Sequence, residues 1–226
     1  MPKNLTLFFL LVIATLNAVI AKDQSVSRTQ FSEKLAKEEQ TRFLSSTDSK
    51  KDYLRLLELE RQALQISDDE PLKLGSIGSA ILDIYPWSQT GHYVMSIFYA
   101  HLDSLEAKKF HQDSLELIQR SMTKDRTGES DQPFPVLTIN DAKTFAKTSG
   151  YSPVGSIYRT TESIALGALV LARKENFPLK YWFYDLSDVL MALEPKSSDD
   201  ESQGWPLIRE LANDSDSAAQ VAIGAY

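Results

Sequence analysis

The chain predicts an α+β fold, with helices first and a small strand-containing module second, on three observations. Between Tyr53 and about Met122 the apolar residues recur every three to four positions, the period of helices with one buried face. Beyond about Gln132 that period gives way to short runs rich in β-branched and aromatic residues, the composition of strands. Pro86 and Gly150 fall where a helix in each half would have to stop.

Six segments follow. Residues 1–21 carry Lys3, an apolar run Leu5–Ile20 and the small or aliphatic Val19-Ile20-Ala21, which reads as a cleaved export signal. The run has 16 residues, short of the roughly 20 that span a bilayer core, and no later segment approaches that length, so no membrane span is expected after cleavage. Residues 22–48 read as a flexible lead-in or as a loose helix around Phe31–Phe43. Residues 49–130 are expected to form antiparallel helix hairpins. Ser49–Asp52 has the form of a capping box, and Tyr53, Leu56, Leu59, Ala63 and Ile66 form the buried stripe of the first helix. Ser67–Pro71 starts a second helix that Pro86 stops. A third runs from Ser88 or Thr90 to about Leu102, and Asp103–Glu106 caps a fourth that reaches about Met122.

Residues 131–193 form the α+β module. Phe134–Ile139 reads as a strand, Asn140 or Asp141 caps a short helix ended by Gly150, and Val154–Thr160 is a second strand. Ile164–Arg173 and Leu179–Asp185 read as a hairpin around Glu175–Pro178, although the apolar content of Ile164–Ala172 also suits a helix and only Gly167 favours the strand, and Ser187–Leu193 reads as a closing helix. Residues 194–204 are an acidic, Ser-rich linker, and 205–226 hold short helices.

Composition narrows function. The chain carries 24 basic and 31 acidic residues for a net charge of −7, and without residues 1–21 the balance becomes 23 − 31 = −8. Nucleic-acid binding needs clustered Lys and Arg, and none is clustered here. The absence of cysteine excludes disulfides, thiolate metal sites and a lipidated cysteine. A disulfide-free exported chain suits a periplasmic or secreted location.

Catalytic motifs are weak. Nine residues separate His92 from His101, which puts them on opposite faces of one helix, so they cannot chelate together; His111 reads as a packing residue. Gly150–Gly155 resembles a nucleophile elbow with its second Gly one residue late and Pro after the Ser. Gly75-Ser76-Ile77-Gly78-Ser79 lacks the Lys of a phosphate cradle and reads as a close helix crossing. No catalytic set, metal site or cofactor is expected.

Pro86, Tyr99, Ala107 and Ser114 stand where tetratricopeptide repeats place a Pro after one unit, a Tyr late in the next unit's first helix, and small residues at the helix crossing, so Leu82–Leu117 resembles one such unit. Its turn is one residue shorter, and His111 fills an aromatic position. Asp216–Gly224 resembles the opening of a SEL-type repeat, a relative of the same family, and a helical half followed by a β-rich module looks like bacterial families of unknown function. The resemblance implies a groove for a peptide or protein of the cell envelope, with Arg55, Tyr93 and Ile97 on the first helices of the hairpins as binding residues. The four successive aromatics Tyr181–Tyr184 must point alternately to both faces of a strand. If Trp182 and Tyr184 face out beside Tyr158, they offer a second binding surface. The expectation is a non-enzymatic interaction or scaffold protein of the envelope, of unspecified oligomeric state. The alternative is a hydrolase or carbohydrate-acting enzyme at the seam between the halves, using His92, Asp185 and Asp188.

Overall fold

The computed structural model describes residues 33–66, 70–159, 166–194 and 208–209. The export signal, residues 22–32 of the lead-in, Ser67–Asp69, Thr160, the linker after Glu194 and the SEL-like Asp216–Gly224 lie outside them. Five helices lead: α1 (Glu33–Leu44), α2 (Ser49–Gln65), α3 (Pro71–Ile84), α4 (Gln89–His101) and α5 (Leu105–Thr123). The module follows as β1 (Phe134–Pro135), α6 (Ile139–Thr148), β2 (Ser152–Arg159), β3 (Gly167–Arg173), β4 (Lys180–Asp185) and α7 (Ser187–Leu193). The fold is α+β, as the change of period predicts.

Helices α3 and α4 form an antiparallel pair whose closeness is set by glycine. A Cβ on Gly75 would lie 2.6 Å from the Phe98 ring, one on Gly78 2.6 Å from Met95 Sδ, and one on Gly91 2.7 Å from Leu82. Matched contacts at these three levels run in opposite directions along the two helices, so each glycine admits a side chain of the facing helix where a larger residue would push the backbones apart. Pro86 cannot continue α3, and Ser88, extended at ψ 122°, caps α4 by accepting the Gly91 N–H at 3.0 Å.

The module's sheet has the order β1-β4-β3-β2. β1 runs parallel to β4 with Phe134 opposite Tyr184, β4 antiparallel to β3 with Phe183 opposite Leu169, and β3 antiparallel to β2, with a bulge between Pro153 and Gly155. One face is buried through Tyr158, Ala168, Val170, Ala172, Trp182 and Tyr184 and packs on α6. Phe145 of α6 meets the rings of Phe134 and Trp182 edge-on at 5.4 and 5.7 Å. Gly128, at φ +75°, passes so close to Phe134 and Trp182 that a Cβ would meet them at 2.4 and 2.6 Å.

Three expectations are corrected. The strand expected over Phe134–Ile139 pairs only at Phe134–Pro135, because Thr138 turns the chain into α6: its Oγ1 accepts the Asp141 N–H at 3.0 Å. Thr138 is therefore the cap assigned to Asn140 or Asp141, and those two side chains are freed to point elsewhere. In α2 the stripe shifts from Leu59 to Leu57 and Glu60, so that a carboxyl group lies fully inside the apolar face.

Candidate functional site

Where α6 meets the helical layer, the sequence has collected polar side chains in a place from which water is excluded. Glu60 of α2, Ser88 and Thr90 at the start of α4, and Thr138, Asp141 and Thr144 of the α6 region are each 3% exposed or less. Their hydrogen bonds form one network. Thr138 Oγ1 donates to Glu60 Oε2 at 2.6 Å, and Ser88 Oγ donates to Glu60 Oε1 at 2.7 Å while lying 3.3 Å from Asp141 Oδ1. Asp141 Oδ1 accepts the Thr90 N–H at 2.9 Å and the Thr90 hydroxyl at 3.0 Å, and Thr144 Oγ1 sits 2.8 Å from that hydroxyl. Beside the network, Asn140 Nδ2 donates to the Leu57 carbonyl at 3.0 Å.

Two buried carboxyls so close cannot both ionise cheaply. Burial, followed by the charge of Asp141, pushes Glu60 well above the usual carboxyl range, and burial raises Asp141 as well. Asp141 is opposed by the N–H groups at the start of α4, whose partial positive charge suits an anion. The proton of the pair therefore resides on Glu60 and the negative charge on Asp141. Tyr85 feels the same region: burial and then the charge of Asp141 push its hydroxyl upward.

Asp141 also reaches the wall of a cleft of about 460 Å³ between the helices and the module. Ala36, Lys37 and Gln40 of α1 and Ile118, Ser121 and Met122 of α5 form one side, and Pro135–Leu137, Asp185 and Asp188 form the other. Tyr85, Trp87 and Gln89, all buried, complete the lining. The mouth is charged, with Lys37, Arg126 and Asp188 exposed. Arg126 donates to the Pro133 carbonyl at 2.8 Å, and Asp185 Oδ1 accepts the Ser187 N–H at 2.8 Å. Gln89 Nε2 faces Met122 Sδ at 3.4 Å, and its buried Oε1 has no hydrogen-bond partner among the described residues.

A second buried polar contact lies in the helical layer, where His92 Nδ1 is 3.0 Å from His111 Nδ1. His92 Nε2 lies 3.0 Å from the Pro86 carbonyl, which can only accept, so the hydrogen of a neutral His92 sits on Nε2 and its Nδ1 receives the His111 N–H. His111 stacks on Tyr99 at 5.5 Å and 12°, the packing role expected of it. His101 is exposed at the end of α4, apart from both.

The chain matches no family model, no curated protein and no solved structure.

The residues expected to bind lie outside the cleft. Arg55 is exposed on α2, while Tyr93 and Ile97 sit half-buried one turn apart on α4, with Lys147 5.5 Å over the Tyr93 ring. Trp182 and Tyr184 have the strand phase opposite to the one a binding role requires: both point inward, 7% and 0% exposed, and Tyr158 points the same way. The reason is packing, since Trp182 is held by Phe145 and Tyr151, and Tyr184 donates to the Ala142 carbonyl at 3.3 Å. Tyr181 and Phe183 take the outer face. Of the three residues considered for catalysis, Asp185 and Asp188 line the cleft and His92 does not. Sequence reasoning missed Glu60, although one signal was present: it stands seven residues after Tyr53, four after Leu56 and three before Ala63, squarely on their stripe.

Proposed function

We propose that this chain is an exported, non-enzymatic interaction or scaffold protein of the bacterial envelope that holds a peptide segment of a protein partner in the cleft between α1, α5 and the β1–β4–α7 side of the module. The observation that carries this reading is the cleft itself, with Lys37 and Arg126 as cations, Asp185 and Asp188 as anions, and the buried aromatic residues Tyr85 and Trp87 in its lining. A peptide offers the same mixture of both charges, amide groups and apolar side chains. The periplasmic or secreted location rests on the sequence of residues 1–21, and the kinship with tetratricopeptide and SEL-type repeats on Leu82–Leu117 and Asp216–Gly224. The test is capture from envelope extract with the wild-type chain and with Lys37→Glu/Asp188→Lys, a pair at the cleft mouth whose exposure leaves folding untouched. A partner retained by the wild type and reduced at least tenfold by the variant supports the reading, and equal capture by both sinks it.

A hydrolytic or carbohydrate-acting enzyme is the second reading, favoured by the meeting of Asp141, Asp185 and Asp188 on one cleft and by the raised pKa of Asp141. Turnover of a peptide or glycoside library that disappears in Asp188→Asn would favour it over binding alone.

A further inference from the structure

The large apolar side chains left exposed among the described residues are Leu72, Leu105, Val154, Phe177, Leu179, Tyr181 and Met191. Four of these seven gather at one end of the sheet, in or beside the β3–β4 turn, whereas isolated exposed apolar residues are ordinarily scattered. The turn is closed by a hydrogen bond from the Phe177 N–H to the Lys174 carbonyl at 3.1 Å, and Asn176 takes the left-handed conformation at φ 61°. Phe177 and Leu179 project from it, 58% and 45% exposed, with Tyr181 at 60%.

The charge around them is the reverse of the chain's. Residues 173–181 hold three cations, Arg173, Lys174 and Lys180, against the single acid Glu175, in a protein whose net charge is −7. The ammonium of Lys174 lies 5.2 Å from the Phe177 ring and 5.7 Å from that of Tyr151, beside the apolar tip, and that of Lys180 lies 5.3 Å from the Trp182 ring.

We propose that this turn docks on an anionic lipid surface, with Phe177, Leu179 and Tyr181 entering the headgroup region and the three cations meeting lipid phosphates. A short turn suits this better than a protein interface, which needs about 800 Å² from each partner. Apolar side chains set among cations are the composition by which peripheral proteins hold to such surfaces.

The absence of cysteine makes the test direct. An environment-sensitive dye is attached to Leu179→Cys in the full chain, and to Leu72→Cys as a control far from the turn in sequence. Vesicles of phosphatidylglycerol are compared with vesicles of phosphatidylcholine. The apolar run at residues 5–20 can bring the chain to either vesicle, so the readout is where the dye lies rather than whether the chain binds. A blue shift of the dye at 179 on phosphatidylglycerol alone is expected, absent at 72, with apparent affinity reduced at least tenfold by Lys174→Glu/Lys180→Glu and by Phe177→Ser. Circular dichroism checks that these surface variants keep the fold. No shift on phosphatidylglycerol, an equal shift on phosphatidylcholine, or an equal shift at 72 overturns the proposal. A shift that needs no vesicles and grows with protein concentration also overturns it, by assigning the turn to a second copy of the chain.

Discussion

Glu60 and Asp141 hold one proton between them in a place water does not reach, and the consequence for stability has a definite sign. Both carboxyls are raised in the folded protein, so the unfolded chain releases its protons at lower pH than the folded one does. Their contribution is fully present below the ordinary carboxyl range and is lost as pH rises through the raised folded values. Each pH unit over which the folded state keeps a proton that the unfolded chain has released costs about 1.4 kcal/mol. The melting temperature should therefore fall as pH rises above the ordinary carboxyl range, by roughly 3 °C per kcal/mol for a chain of this size. Glu60→Gln, which keeps the shape and removes the ionisation, should flatten that slope; equal slopes for wild type and variant would refute the shared proton. Asp141→Ala should be far more costly, about 3 kcal/mol by urea unfolding, because it leaves the Thr90 N–H buried without its acceptor and strips the Thr90 hydroxyl of one of its two partners.

Among the elements, the α3–α4 pair shows how magnitudes decide a substitution. Gly75→Ala should gain about 1 kcal/mol in helix propensity and lose about 2 kcal/mol by forcing a methyl group into the Phe98 ring. The net is a lower melting temperature, whereas the neighbouring exposed Ser76→Ala should leave it unchanged or raise it slightly. The period of the apolar residues was enough to place α2, α3 and α5, because each shows a buried face to its neighbours and exposed residues on the other side, whereas α4 and β3 are covered on nearly every side and their apolar runs carry little period of their own. Local pattern could not tell which of Thr138, Asn140 and Asp141 would cap α6, since all three side chains suit the position. The choice was made by tertiary structure: Glu60, distant in sequence, takes the Thr138 hydroxyl, and Thr90 takes the carboxylate of Asp141. The phase of Tyr181–Tyr184 was equally hidden, because a strand of four aromatics is symmetric under a one-residue slip and the symmetry is broken by tertiary contacts, those of Phe145 and Tyr151 with Trp182 and of Ala142 with Tyr184.

For the whole molecule, the buried network ties the module to the helices through α6, which packs on both α2 and α4. Hydrogen exchange should then find the amides of α6 protected to within about tenfold of those of α4, with both released together in Asp141→Ala. An α6 that exchanges far faster than α4 in the wild type would mean that the network does not couple the layers. The cleft and the network share one residue, for Asp141 accepts the N–H of Thr90 on one side and borders the cleft on the other. Filling the cleft therefore changes the field at the shared proton, and an occupant presenting a positive group to Asp141 lowers the proton's affinity for its site. By reciprocity the occupant binds more tightly as pH rises. Calorimetry of that association in two buffers of unequal ionisation enthalpy would count the protons released, turning a structural carboxyl pair into a gauge of what enters beside it.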